Sequence, residues 1–146
     1  MKNSDAGDPL MGRPLTDPNE VLFRQIHPSN YKNGRPASDR FRPQPSDNGL
    51  MSVDRSSLTT AAASHALYTS TGSQSAAVFG VSVEEFTGEA LKCLEDPLEA
   101  EVGQLANPAH ASVDYTDVDE KKWKTISKRL WAKAVTRGCL HSPEKT

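Results

Sequence analysis

Hydrophobic residues are arranged along this chain in short runs and in one helical repeat. The first run, Val21–Ile26, is β-branched at both ends and stops at His27-Pro28, which predicts a strand that enters a turn. Runs of similar length predict further strands over residues 49–53, 76–83, 90–94 and 109–115. We expect the strand at 90–94 to be the antiparallel neighbour of the strand at 76–83.

Two helices are predicted between and after these runs. Ser56 and Ser57 can cap a helix over residues 58–68, which ends near Gly72. The second helix follows a cap at Thr116 or Asp117 and stops at Gly138, with acidic residues in its first turn and basic residues later. Its apolar residues recur at helical spacing and predict a face that closes the core: Trp123, Ile126, Leu130 and Ala134.

These elements predict an α+β fold in one small domain. Four or five mostly antiparallel short strands are expected to pack against a C-terminal amphipathic helix and a shorter helix. Seven of the ten prolines lie in residues 1–45, which excludes continuous helix or central strand there. We expect a disordered leader over 1–19, the domain over 20–141 and a disordered tail over 142–146.

Composition narrows the class of protein. The formal net charge is -2, which is unlike a bulk-basic nucleic-acid packer, and no apolar run approaches the roughly 18 residues of a membrane span. The start lacks the apolar region of a secretory signal, so we expect a cytoplasmic protein of bacterial type with no membrane contact. The two cysteines, Cys93 and Cys139, have no companion spacing, and we expect no disulfide framework, no metal and no cofactor. The segment at 72–75 lacks the Gly-Lys-Ser/Thr ending of a phosphate-binding P-loop.

Two His-x-Ser steps stand at the edges of predicted strands. His27 and Ser29 follow the first strand, and His110 and Ser112 lie in the last one. In extended chain, residues i and i+2 point the same way, so each step can present an imidazole and a hydroxyl to one pocket. This pairing resembles the motif of 2H phosphoesterases, which implies one histidine as base, the other as acid, and hydroxyls that hold phosphate oxygens. The alternative is that His27 belongs to a turn and His110 is a hydrogen-bonded, partly buried histidine.

A second order of residues runs through Arg24, Tyr68 and Glu84. A basic residue, a hydroxyl and aromatic segment and then a glutamate resemble the R-S-E layout of ADP-ribosyltransferase-like folds. The resemblance implies that Arg24 holds dinucleotide phosphates and that the glutamate orients a hydroxyl, although adjacent Glu84 and Glu85 replace the usual Glu-x-Glu. The alternative is a surface arginine, a helix-end tyrosine and an edge charge.

Basic residues form two further candidate surfaces. The arginines of the 29–55 loop and the preceding strand are candidates for anion binding, the alternative being a solvated loop with Arg–Asp pairs: Arg24, Arg35, Arg40, Arg42 and Arg55. The outer face of the last helix, with Lys124, Lys128 and Arg129, is a candidate surface for an acidic partner.

The sequence therefore predicts a small binding or accessory protein. It is expected to meet an anionic, phosphate-bearing ligand or a protein partner through the 29–55 loop and the basic helix face. Nucleic acid is a less expected partner, because Asp39, Asp47 and Asp54 offset the arginines. The alternative is a small enzyme that acts on a phosphodiester or a dinucleotide. The two differ in whether His27 and His110, or Arg24 and Glu84, converge at one cleft.

Overall fold

The fold is a five-stranded antiparallel sheet with helices on it. A computed structural model describes residues 12–143, and residues 1–11 and 144–146 of the expected leader and tail lie outside this range. The strands, in chain order, are β1 Val21–Ile26, β2 Tyr31–Lys32, β3 Arg35–Pro36, β4 Leu50–Arg55, β5 Ala77–Ser82, β6 Lys92–Glu95 and β7 His110–Asp114. The large sheet has the order β5-β1-β4-β7-β6, and β2 and β3 form a separate hairpin. The predicted α+β class is confirmed.

One predicted pairing is wrong. β6 pairs with β7 at one edge of the sheet, and β5 lies at the other edge beside β1. The chain leaves β5 at Ser82, whose hydroxyl accepts a hydrogen bond from the Glu85 backbone N–H (3.1 Å) while the Glu85 carboxylate accepts one from the Ser82 N–H (2.9 Å). This capping box starts helix α2, Val83–Thr87, so the chain turns out of the sheet instead of folding back as a hairpin.

The other two helices begin later than predicted and end close to their predicted ends. Helix α1 spans Ala61–Thr69 and is capped by Thr60, whose hydroxyl accepts a hydrogen bond from the Ala63 N–H at 3.1 Å. Helix α3 spans Trp123–Arg137 and follows a 3₁₀ turn at Glu120–Lys122. It ends at Gly138, whose φ of 96° favours glycine.

The hydrophobic core lies between α3 and one face of the sheet. Buried strand residues meet Ile126, Leu130 and Ala134 of α3, as the helical repeat predicts. Phe41 of the 29–48 segment is fully buried, and its carbonyl accepts a hydrogen bond from the buried Tyr115 hydroxyl. The long segment between β1 and β4 is therefore anchored to the core.

Residues 12–19 are packed against the sheet. The Leu15 N–H donates to the Cys93 carbonyl (2.9 Å), the Glu95 N–H donates to the Arg13 carbonyl (2.8 Å), and the Leu15 side chain is buried in the core. This part of the expected leader thus covers the β6 edge, and it pairs backbone groups that β7 alone would leave without partners.

The opposite face of the sheet is polar at its centre. Asp54 of β4 lies opposite both Phe23 of β1 and His110 of β7, and side chains at paired positions share a face. β1 and β4 pair at only two positions, whereas β1 and β5 pair at six. Beyond Phe23 the side chain of Arg24, rather than a backbone N–H, donates to the Ser52 carbonyl at 3.0 Å. The two central strands therefore part, and a cleft opens there.

Candidate functional site

A cleft lies above this opening and is lined by several of the predicted site residues. Its volume is about 370 Å³, within the range of small-molecule sites. β1 and β4 form its floor, helix α1 with the residues after it forms one wall, and a loop at 98–107 forms the other. The predicted residues that line it are Arg24, Arg40, His27, His110 and Tyr68.

Arg24 holds a positive charge at the floor of the cleft. Its Nε donates to the Arg40 carbonyl at 2.7 Å and its Nη1 donates to the Ser52 carbonyl at 3.0 Å. Within residues 12–143 no carboxylate lies within 4.0 Å of the guanidinium. Burial, and then the nearby charge of Arg40, lower the pKa of Arg24 to about 10, so the group remains charged at neutral pH.

Only one other predicted arginine joins Arg24 at the cleft. Arg40 lines it while its Nε contacts Asp39 at 3.2 Å. Arg42 lies outside the cleft and donates to the Ser127 hydroxyl at 3.0 Å, and Arg55 pairs with the buried Glu20 at 3.1 Å. Arg35 is exposed in β3 and does not line the cleft. The five arginines therefore do not act as one patch.

His110 is oriented by Asp96. Its Nδ1 lies 2.8 Å from the Asp96 carbonyl and 3.4 Å from the Asp96 carboxylate. A carbonyl only accepts hydrogen bonds, so Nδ1 carries the proton and the neutral ring has its lone pair on Nε2. An imidazole so held presents a proton acceptor on its other side.

His27 is held in the opposite tautomer. The Ser29 backbone N–H donates to its Nδ1 at 3.1 Å, which leaves the proton of the neutral ring on Nε2. The Ser29 hydroxyl lies 2.8 Å from the same Nδ1. His27 is exposed at the rim and is a hydrogen-bond donor there.

The two serines of the His-x-Ser steps do not line the cleft. Ser112 is buried and donates to the Asp96 carboxylate at 2.9 Å, so it supports the residue that orients His110. Ser29 is bonded to His27. The structure thus brings the two histidines to one cleft while both hydroxyls serve local contacts.

A chain of polar groups joins the walls to the floor. Asp54 accepts hydrogen bonds from Ser64 of α1 (2.6 Å) and from the Asn107 amide of the 98–107 loop (2.9 Å). Ser64 also accepts from Gln25 (2.9 Å), and Gln25 accepts from Ser75 (2.7 Å). Both walls are therefore fixed to the strands by side chains. The sequence did not predict that Asp96, Asn107 and Gln25 belong to the site. Only Gln25 carried a signal, because it is an isolated polar residue at an inward position of a strand.

The glutamates of the R-S-E order lie away from Arg24. Glu84 and Glu85 belong to α2 rather than to a strand, and neither lines the cleft. Glu85 contacts Arg137 at 2.9 Å; burial opposes its charge, but the hydrogen bonds from Arg137 and Ser82 prevail and lower the pKa of its carboxyl. Tyr68 lies in the cleft wall and Arg24 in the floor. The structure thus brings two residues of the R-S-E order to one cleft, while the third, Glu84, lies elsewhere.

The basic face of α3 is separate from the cleft. Lys124, Lys128 and Arg129 are exposed, as the helical repeat predicts. Arg129 contacts Glu89 through both carboxylate oxygens (2.6–3.0 Å). Part of this positive charge is therefore neutralised within the protein.

Metal-binding groups, membrane-spanning helices and an activated thiol are other features that could indicate a function in residues 12–143. No group of three or more His, Cys, Asp or Glu side chains there is placed to hold a metal ion. None of the helices in that range has both the length and the apolar composition that crossing a bilayer requires. Burial raises the pKa of the Cys93 thiol to about 12, so it is not an activated nucleophile.

Comparison with known proteins adds no relative. No protein-family model, curated protein or solved structure matches the chain. The chemistry of the cleft therefore has to be argued from its own residues.

Proposed function

We propose that this protein binds a small phosphate-bearing ligand in the cleft, with Arg24 as the principal anchor. The observation that carries the proposal is the guanidinium of Arg24, which lies at the cleft floor and has no carboxylate partner within the described residues. Removing a charge from water is costly, and within residues 12–143 the Arg24 guanidinium has only the longer-range attraction of Asp47 as a carboxylate counter-charge, so it favours an anion beside it in the cleft.

The surrounding donors support a phosphate rather than an isolated chloride or hydroxide. Arg40 adds a second guanidinium, and the Nε2–H of His27 adds a neutral donor at the rim. A phosphate group offers three or more acceptor oxygens, which several donors from different elements can bind together. Arg40 belongs to the 29–55 loop that sequence patterning predicts to contact an anion.

Calorimetric titration of the full chain with ribose 5-phosphate tests the proposal. Arg24→Gln is expected to weaken binding by roughly tenfold or more, since a hydrogen bond to a charged group contributes about 1.5–3 kcal/mol. Arg35→Gln removes the same charge from the same region but outside the cleft, and should leave the affinity within about twofold. Equal losses in the two variants, or no binding by the parent, would exclude an Arg24 site. Arg40→Gln gives a second reading should Arg24→Gln fail to fold.

A second candidate function, phosphodiester hydrolysis, is favoured by the contact between His110 and Asp96. His110 Nε2 would take a proton from a water molecule whose oxygen attacks the phosphorus. The bond from phosphorus to the leaving alcohol oxygen then breaks, and that oxygen takes up the proton. His27 accepts a backbone N–H at Nδ1, so its Nε2–H would donate a hydrogen bond to a phosphate oxygen.

Turnover of bis(4-nitrophenyl) phosphate tests this candidate separately. His110→Ala should lower kcat by about a hundredfold or more, the usual contribution of a general base, while ribose 5-phosphate still binds. His141→Ala, which changes a histidine outside the cleft, should leave kcat unaltered. A parent protein with no turnover, but with Arg24-dependent binding, would leave a binding protein and no hydrolase.

A further inference from the structure

Two large apolar side chains are exposed to solvent on the two walls of the cleft. Tyr68, in the last turn of α1, is 43% exposed, and Leu105, in the 98–107 loop, is 52% exposed. Both line the same cleft, and Leu67 lies beside Tyr68 in its wall. When a ligand covers exposed apolar surface in a cleft, the burial of that surface contributes favourably to the free energy of binding.

The two walls are held at a fixed place relative to the floor. Asp54 accepts hydrogen bonds from Ser64 of α1 and from Asn107 of the 98–107 loop, so Tyr68 and Leu105 belong to elements tied to one carboxylate. The loop is itself closed by paired backbone hydrogen bonds between Leu98 and Asn107 (2.9 and 3.0 Å). A ligand in the cleft can therefore contact an aromatic ring on one wall and an aliphatic side chain on the other.

Polar groups next to these apolar walls are available to a ligand. Gln104 uses one amide N–H on the Glu99 carbonyl (2.7 Å), and its amide oxygen has no partner within residues 12–143. The hydroxyl of Thr71, which also lines the cleft, has no partner in the same range. An amide suits the polar edge of a heterocyclic base, and a hydroxyl suits a sugar.

We propose that the ligand is a nucleoside monophosphate, with its phosphate on Arg24 and Arg40 and its base between Tyr68 and Leu105. This inference rests on the proposed phosphate site and adds the base to it. Anion, sugar hydroxyls and a flat ring occur together in a nucleotide, and the cleft volume of about 370 Å³ suits a molecule of that size. Stacking of a base on an aromatic ring is tolerant of which base is present, so the walls set the class of ligand.

The experiment compares ribose 5-phosphate with AMP, GMP, CMP and UMP by calorimetric titration of the full chain. At least one nucleotide should bind about tenfold or more tightly than ribose 5-phosphate, in keeping with the contribution of one stacked base. Tyr68→Ala should remove most of that gain and weaken nucleotide binding much more than ribose 5-phosphate binding, whereas Tyr68→Phe should keep the gain. Leu105→Ser is the second variant and should also reduce the gain. Leu58→Ala is the matched control, because Leu58 is 55% exposed and does not line the cleft.

The outcomes separate this inference from the proposal on which it rests. If ribose 5-phosphate binds through Arg24 but no nucleotide binds more tightly, the base site is excluded and the phosphate site stands. A nucleotide preference that survives both Tyr68→Ala and Leu105→Ser also excludes the base site. If ribose 5-phosphate does not bind, or if adenosine, titrated as the phosphate-free control, binds as tightly as AMP, the phosphate site itself is excluded.

Discussion

Two charged groups, Glu20 just before β1 and Arg24 within it, differ in how they are paired. Glu20 is buried, yet Arg55 contacts both of its carboxylate oxygens at 3.1 Å and the Ser57 hydroxyl donates to it at 2.7 Å. Arg24 has two backbone carbonyls and, within residues 12–143, no carboxylate. Glu20 is therefore paired within the protein, whereas Arg24 faces a cleft in which an anionic ligand can pair with it.

Glu20 offers a pH-dependent test of this contrast. Burial opposes the charge of Glu20, but the hydrogen bonds from Arg55 and Ser57 outweigh it and lower the pKa of the carboxyl below its ordinary 4.5. A lowered pKa in the folded state adds stability that is present above pH 4.5 and is lost as the pH falls through the folded value. Glu20→Gln should therefore cost roughly 3–5 kcal/mol at neutral pH, because it breaks a buried pair, and much less in acid.

Urea unfolding of parent and variant over a pH series measures this difference. Glu101→Gln, an exposed carboxyl, serves as the control and should change stability little at any pH. A difference between parent and Glu20→Gln that stays constant into acid would show that the charge of Glu20 has no part in the stability.

Helix α3 shows how far sequence periodicity determines an element. Its apolar positions predicted the buried face, and Ile126, Leu130 and Ala134 are buried while Lys124 is exposed. Leu130→Ala should cost about 2–5 kcal/mol, because it leaves a cavity against the sheet. Lys124→Ala should change the free energy of unfolding by less than about 0.5 kcal/mol. Chemical denaturation compares them, and similar small losses would contradict the packing of α3 on the core.

Other elements could be predicted only in part. Val21–Ile26 is a strand with the bounds that its sequence indicates, since the run ends at a His-Pro turn. The sequence did not predict that β6 pairs with β7, because this pairing follows from the turn that α2 makes after β5. The capping box at Ser82 and Glu85 starts that helix, but it lies at the end of an apolar run that also suits a strand. Short apolar runs do not distinguish these states.

The candidate site was predictable to a similar degree. Arg24, His27, His110 and Tyr68 stand out by residue type and position, and the structure places all four at one cleft. The 98–107 loop has no periodic pattern, and it is fixed by the hydrogen bond from Asn107 to Asp54, which lies 53 residues away in the chain. Asp96, Gln104 and Leu105 therefore acquire their places from tertiary contacts that sequence spacing does not contain.

In the whole molecule, the sheet lies between the apolar core and the elements that wall the cleft. One face packs on α3 with the apolar core, and the other carries α1 and the 98–107 loop, which wall the cleft. Arg24 lies opposite Phe79 on the core face, and the cleft reaches its side chain where β1 and β4 part. The short pairing between β1 and β4 opens the floor on the cleft side, while β1 keeps six pairs with β5. The cleft thus arises within the sheet itself, and Arg24 fills the place where backbone pairing stops.

Nuclear magnetic resonance of the arginine side chains tests directly whether a phosphate binds at Arg24. In the ¹⁵N-labelled full chain, the Nε–H of Arg24 donates to the Arg40 carbonyl at 2.7 Å, which should slow its exchange with water and make its signal observable. Titration with ribose 5-phosphate is predicted to shift the Arg24 signal, together with the ring signals of His27 and His110, while Arg35 stays unchanged. Shifts at Arg35 or along the basic face of α3, with the Arg24 signal unmoved, would contradict a phosphate site in the cleft.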